Sequence, residues 1–351
     1  SGRGVVYNYG TFTFSSPNLV SDFLNRRLNY WLSVESFEEL LQDYSAWNRT
    51  ILEQELAFTE PQALELAKFL ENNAKPENKF YAYDYYTDNC STRVRDALDR
   101  VLGGALKAAA RPRASQTYRE HSLRLTADDL PLYVGLDFGL SGYADQPVGE
   151  WEEAFLPEKL AELARRARVT NEAGESVPLV RAERIHFRAE RTEPLATPPS
   201  RTLAFFAAGS LAGVLFAWLA RKRAQAWARR LHAVLLISVG LVTGIGGSLL
   251  AFLWLGTPHT AAARNVNVLL SPPWALLLIP VGVLLFRRHV HAERATRWLS
   301  SALVAGALVA LILVFAGVQH SERFVALLLP LWVGVLAGFA DLRLISRAVP
   351  K

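Results

Sequence analysis

Two regimes of hydrophobic spacing divide this chain. Up to about residue 195, apolar positions recur at helical or strand periods among charges of both signs; from Thr202 onward they run together. In the first half, Val5 to Phe14 alternates β-branched and aromatic residues with small polar ones and predicts a strand. Leu19 to Leu28 and Ser36 to Tyr44 predict helices, with a strand from Asn29 to Val34 between them. Thr59, Glu60 and Pro61 open a helix that runs through Asn72, with Thr59 as its cap. Val94, Ala97, Leu98, Val101 and Leu102 form one stripe of a further helix, capped by Asp88 or Asn89 and stopped by Gly103-Gly104. Thr117 to Leu125 and Trp151 to Val169 read as helical, and Ser176 to Phe187 as extended. The layout is α+β.

The second half predicts five membrane spans, each near the length of about 20 residues that a bilayer demands. They cover Thr202 to Ala220, His232 to Leu255, Val266 to Phe286, Leu299 to Val318 and Phe324 to Leu342. Glu190 to Ser200, with Pro194, Pro198 and Pro199, is the linker, so the expected domains are 1–195 and 196–351. Basic residues crowd the loops after the first span (Arg221, Lys222, Arg223, Arg229, Arg230) and the third (Arg287, Arg288, Arg294, Arg297), and the tail adds Arg343, Arg347 and Lys351. The other two loops hold only Arg264 and Arg323. Basic loops stay cytoplasmic, which puts the C-terminus inside and the first domain outside, facing the periplasm of a bacterium. An odd number of spans gives the same orientation.

The chain has 38 Lys and Arg against 33 Asp and Glu, a net charge of +5. Arginines flanking the spans account for most of this excess, so the charge does not call for a nucleic-acid partner. With a single cysteine, no disulfide within the chain can form, and the first domain must rest on its own core.

That cysteine, Cys90, stands where a polar loop becomes a helix, in Asp88-Asn89-Cys90-Ser91-Thr92-Arg93. The N–H groups and partial positive charge of a helix N-terminus favour thiolate, the reactive form. A free cysteine is either inert packing or chemistry; the polar neighbours favour a nucleophile here. Asn89, Ser91, Thr92 and Arg93 then become its supporting groups, with Asn89 or backbone N–H groups as oxyanion donors. A thiol nucleophile needs a base. The first domain offers His121, in a polar helix start, which also reads as a solvated surface imidazole, and His186, a weaker candidate in an alternating strand near the linker. No glycine-rich phosphate loop, paired-histidine zinc motif or second cysteine supports a metal or cofactor. His259, Arg264, Asn265 and Asn267 cluster at the start of the third span, on the side of Cys90. They suit either a lipid headgroup or substrate, or plain solvation of a loop.

Taken together, Val6-Tyr7-Asn8-Tyr9-Gly10-Thr11-Phe12, Tyr83-Asp84-Tyr85 leading into Asp88-Asn89-Cys90-Ser91-Thr92-Arg93, Trp151-Glu152-Glu153 with Phe155-Leu156-Pro157, and the His259/Arg264/Asn265/Asn267 loop resemble the Lnb family of bacterial lipoprotein N-acyltransferases. The resemblance covers nearly the whole chain, and its Asn-Cys-Ser-Thr-Arg piece is the most specific part. It implies a periplasmic domain of permuted papain or NlpC type, followed by an all-α membrane bundle of about five helices in the bacterial inner membrane. It also implies ping-pong chemistry: Cys90 takes an acyl chain from a membrane phospholipid as a thioester, and the α-amine of a lipoprotein's diacylglyceryl-cysteine receives it. One departure stands out. Family members carry a Gly-His strand just upstream of Tyr-Asn-Tyr-Gly, and its histidine is the expected partner of the cysteine. The chain begins at Ser1 and has no methionine, so the expectation is a fragment whose catalytic histidine lies upstream. A membrane-tethered cysteine hydrolase and a non-catalytic lipid- or protein-binding module are the rival readings.

Overall fold

A computed structural model describes residues 4–12, 22 and 29–339. The chain divides into two compact units, one of residues 1–121 and 146–194, the other of 122–145 and 195–351. By contact, Ser122–Asp145 groups with the membrane helices rather than with the rest of the first 195 residues.

The strands of the first unit are β1 (Val5–Thr11), β2 (Asn29–Ser36), β3 (Ile51–Leu56), β4 (Phe80–Ala82), β5 (Arg168–Thr170), β6 (Ser176–Pro178) and β7 (Val180–Phe187). They pair antiparallel as three small sheets, β1-β2-β4, β3-β7 and β5-β6. Helices follow where caps and periodicity place them. Ser36 and Thr59 each close a capping box, opening Phe37–Ala46 and Glu60–Asn73. The helix expected over Leu19 to Leu28 lies, Asp22 apart, outside the described residues. Trp151 to Val169 is not one helix. It breaks into Glu150–Glu153 and Pro157–Arg166, because Pro157 cannot continue a helix from Leu156 and suits a first turn instead, and the run ends in β5.

Helix Cys90–Val101 joins the two cores of this unit. Its first turn lies against Tyr9, Leu32 and Tyr81 of the three-stranded sheet. Its far end packs with Leu106, Leu160, Leu163 and Leu179. Gly103 and Gly104, with φ of 62° and 87°, end it in the left-handed region that glycine tolerates best.

In the second unit, four helices among the described residues are long and apolar enough to cross a membrane: Thr202–Arg221, Ala226–Leu255, Asn267–Phe286 and Ala292–Phe315. The third is interrupted at Ser271, before Pro272 and Pro273. The expected fifth span appears as Glu322–Ala337, which at 16 residues is shorter than a full crossing among the described residues. It packs along Thr202–Arg221 through small residues. A Cβ at Gly213 would lie 2.4 Å from the Pro330 carbonyl oxygen, and one at Gly334 would lie 2.2 Å from that of Gly213. Close backbone approach of this kind replaces the hydrophobic driving force that lipid cannot supply. Gly213→Leu should therefore destabilise the unit by about 1–3 kcal/mol or more, since backbone on the facing helix cannot swing aside. Thermal unfolding in detergent reads this directly, and an unchanged midpoint would contradict the close packing.

Helix Leu130–Gly139, which the sequence pattern did not reveal, is held to this unit by polar groups. Arg323 forms a two-pronged ion pair with Asp137, and Arg201 covers the Tyr133 ring at 4.4 Å. Asn265 donates to the carbonyls of Phe138 and Gly139 at 3.0 and 2.9 Å, and Asn267 donates to that of Phe138 at 2.9 Å. Gln319 then binds the Asn265 side-chain oxygen at 2.9 Å.

Candidate active site

Cys90 is the first residue of its helix, and Asn89 caps it. The Asn89 side-chain oxygen accepts from the N–H groups of Ser91 and Thr92 at 2.9 Å, while the Thr92 hydroxyl accepts from the Asn89 N–H at 2.7 Å. The sequence Asn-Cys-Ser-Thr thus builds its own N-terminus and leaves the Cys90 side chain at the mouth of the helix.

A turn from the other end of the unit holds this mouth from behind. The carbonyl of Phe155 accepts from the Asn89 amide at 3.0 Å, that of Ala154 from the Ser91 hydroxyl at 2.8 Å, and that of Trp151 from Arg95 at 2.7 Å. Arg95 also lies over the Trp151 ring at 4.2 Å. Trp151-Glu152-Glu153 with Phe155 therefore acts as a buttress.

Strand β1 supplies the front. Asn8 turns back to accept from the Gly10 N–H at 2.8 Å and donates to Glu35 at 2.9 Å, where the register of β1 on β2 shifts. A Cβ on Gly10 would lie 3.8 Å from that of Cys90, so the glycine brings backbone close to the thiol. Tyrosines complete the surround. Tyr30 and Tyr83 stack at 4.0 Å, and the Tyr81 hydroxyl donates to the Tyr9 carbonyl. Ionisation of Cys90 would raise the pKa of Tyr30, Tyr44, Tyr81 and Tyr83. Burial, followed by the charges of Tyr85 and Cys90, pushes the Tyr30 hydroxyl up to about 12. Burial likewise raises Tyr81 and Tyr83, so these phenols stay protonated and able to donate.

The thiol itself differs from expectation. Burial raises its pKa above the usual thiol value; the N–H groups of Ser91 and Cys90 and the charge of Arg49 pull the other way without prevailing. The helix terminus does favour thiolate, but the desolvation cost of an anion in a tyrosine pocket is larger. Alkylation of Cys90, the chain's only thiol, should therefore keep accelerating with pH beyond the ordinary range of a free cysteine, about 8.5. Intact-mass kinetics with iodoacetamide would read this, and a plateau already reached by neutral pH would refute it.

The other predicted site residues fall in different places. His121 is fully buried and bonds Glu153 at 2.8 Å, edge-on to Phe155. Burial tends to raise the Glu153 pKa, but the His121 hydrogen bond and the Lys159 charge outweigh it and leave the carboxyl below its usual range. Among the described residues no hydrogen bond joins a histidine to the Cys90 sulfur; His121 stands behind the buttress turn rather than beside the thiol. His186 pairs with Glu53 between β7 and β3. Asn89 gives its amide hydrogens to the carbonyls of Tyr85 and Phe155, so its side chain is spent on structure. Ser91 and Thr92 are buried in the cap, and Arg93 pairs with Asp88 at 2.6 Å and covers the Tyr81 ring at 4.5 Å.

The proposed lipid cluster separates as well. Asn265 and Asn267 are buried and cap Leu130–Gly139, because a helix C-terminus leaves carbonyls that need donors; they are not open to a headgroup. Arg264 is exposed in a left-handed conformation, with φ of 55°, and His259 is half-buried. Sequence reasoning passed over Arg49 and Tyr44. Neither sits in a pattern that marks it.

A small α+β unit with one buttressed cysteine, joined to apolar helices of membrane-crossing length, defines a membrane protein with a cysteine domain. The chain belongs to the Lnb family: residues 1–124 match the model of the Lnb N-terminal periplasmic domain, and residues 204–341 that of the Lnb transmembrane domain. The first unit is accordingly periplasmic. No curated protein and no solved structure matches the chain.

Proposed function

We propose that the protein is a lipoprotein N-acyltransferase with Cys90 as nucleophile. The observation that carries this reading is the sulfur itself, at the start of a capped helix, receiving N–H groups in a tyrosine-lined pocket of a periplasmic domain tied to membrane helices. Cys90 attacks the carbonyl carbon of a glycerolipid ester; the C–O bond breaks, and the thiol proton, carried by a base, leaves with the alcohol. The α-amine of a diacylglyceryl-cysteine then attacks the thioester, the C–S bond breaks, an amide forms and the thiol is restored. The Cys90 N–H, first in the helix and without an intrahelical acceptor, is the proposed oxyanion donor. A thiol held neutral in the resting state suits this scheme, because it waits unreactive until a base and an ester are both in place. The arginine-rich loops support a cytoplasmic C-terminus in the inner membrane.

A phospholipid and the acceptor's own glyceryl group offer the same kind of ester. The first donor adds an acyl chain to the lipoprotein, and the second leaves the number unchanged. The informative readout is therefore the amine. Tandem mass spectrometry of a lipoprotein N-terminal peptide, from cells lacking their own N-acyltransferase and expressing the complete gene product, should find an N-acyl amide. A free amine despite good expression would sink the proposal, and release of free fatty acid alongside it would establish a hydrolase.

A further inference from the structure

The arginine-rich end of the membrane helices forms a half-open cavity of about 510 Å³, lined by Arg221, Arg223, Arg229, Arg288, His289 and Glu293 with apolar residues such as Leu285. That volume lies within the range of about 300–1,000 Å³ common for small-ligand sites. Four guanidinium groups face one carboxylate, and Arg223 already engages that carboxylate at 2.7 Å. Arginines on helix ends serve topology when they point to water. Arg229 does not: it is 8 % exposed, and its Nε has no hydrogen-bond partner. Three residues along the same helix, His232 is fully buried, edge-on to the rings of Phe216 and Phe339, and both of its ring nitrogens are also unpartnered. Among the described residues, these two side chains hold three of the four buried nitrogen or oxygen atoms left without a partner. Burying a guanidinium with an unused donor is costly unless an anion completes it.

The depth of the cavity points to the anion. Trp218 and Trp227, on two of the helices whose ends form this rim, pack at 5.6 Å and are 43 % and 50 % exposed. Exposed tryptophans at helix ends mark the headgroup layer of a bilayer. We propose that this cavity binds a phosphate group, that of a membrane phospholipid, with Arg229 and Arg288 as its principal donors. Guanidinium forks match phosphate oxygens, and the apolar lining accepts the start of an acyl chain. None of these residues belongs to the Cys90 site, so the inference stands apart from the acyltransferase reading.

The test is lipid retention by the full chain, delipidated in detergent and examined by native mass spectrometry. The probes are dioleoyl-phosphatidylglycerol, dioleoylglycerol with no phosphate, and inorganic phosphate. The wild type should retain the phospholipid in preference to dioleoylglycerol. Arg229→Gln and Arg288→Gln should each weaken retention about tenfold or more, the usual worth of a charge-assisted contact. Arg294→Gln, which removes the same charge from an exposed position outside the cavity, should bind as the wild type does. Arg288 is exposed and its replacement leaves the core intact, so it guards against a folding defect in the Arg229 variant. Protection by millimolar inorganic phosphate that depends on Arg229, with no lipid retained, keeps the phosphate chemistry and assigns its source to solution. Equal retention of dioleoylglycerol, or equal losses in all three variants, overturns the site.

Discussion

Cys90→Ser is expected to abolish N-acylation, with a loss of about 10³-fold or more, while leaving the fold unchanged. Serine fits every structural demand at this position. It is accepted at the start of a helix, the Asn89 cap depends on the N–H groups of Ser91 and Thr92 rather than on the Cys90 side chain, and Gly10 faces a Cβ that serine keeps. Only the chemistry changes. A hydroxyl is far less acidic than a thiol and far less nucleophilic, and the pocket that already raises the thiol pKa by burial would oppose an alkoxide even more strongly. The measurement is the N-acyl amide on a lipoprotein peptide, with equal protein levels and equal thermal midpoints as the control. Undiminished acylation in both Cys90→Ser and Cys90→Ala would reduce Cys90 to a packing residue and favour a non-catalytic module.

The second large effect concerns stability. Asp137→Ala should cost about 3–5 kcal/mol, the typical penalty for stranding one partner of a buried ion pair. The Asp137 side chain is 1 % exposed, and its two oxygens meet two nitrogens of Arg323, whose side chain is 13 % exposed. Removing the carboxylate leaves a guanidinium with little water, compensated in part by the Tyr133 ring, 5.9 Å away, and by the charge of Glu322. Replacing both partners by apolar residues, as Asp137→Leu with Arg323→Met, should recover most of the loss, because neither charge is then stranded. Denaturant or thermal unfolding in detergent would provide the four corners of a double-mutant cycle. Additive losses would show that the pair is not coupled as its geometry indicates.

Much of the site was legible from local pattern. Asn89, Cys90, Ser91 and Thr92 announce a helix start whatever surrounds them, since a capping box needs only four consecutive residues. The spans were equally legible, because bilayer thickness imposes a length that composition reveals. Other expectations failed for a shared reason. Asn265 and Asn267 look like a polar patch near a membrane surface until Leu130–Gly139 is placed beside them with its unpaired carbonyls. His121 looks like a solvated imidazole until Glu153 closes over it. In each case the partner lies more than 30 positions away, beyond the reach of periodicity.

Local residue pattern was enough to specify the helix that presents Cys90, its cap and stop, the change of solvent near residue 200, and the membrane-crossing length of the helices that follow. These depend on interactions between residues a few positions apart, or on the match of one segment to a bilayer. Tertiary structure decided the rest: that Ser122–Asp145 groups with the membrane helices, that Arg49 and the tyrosines surround the thiol, and that Arg229 is enclosed. It also settled the direction of the Cys90 shift. A helix terminus favours an anion through bonds that the local sequence specifies, but desolvation sums over every distant segment that covers the sulfur, and here that sum prevails.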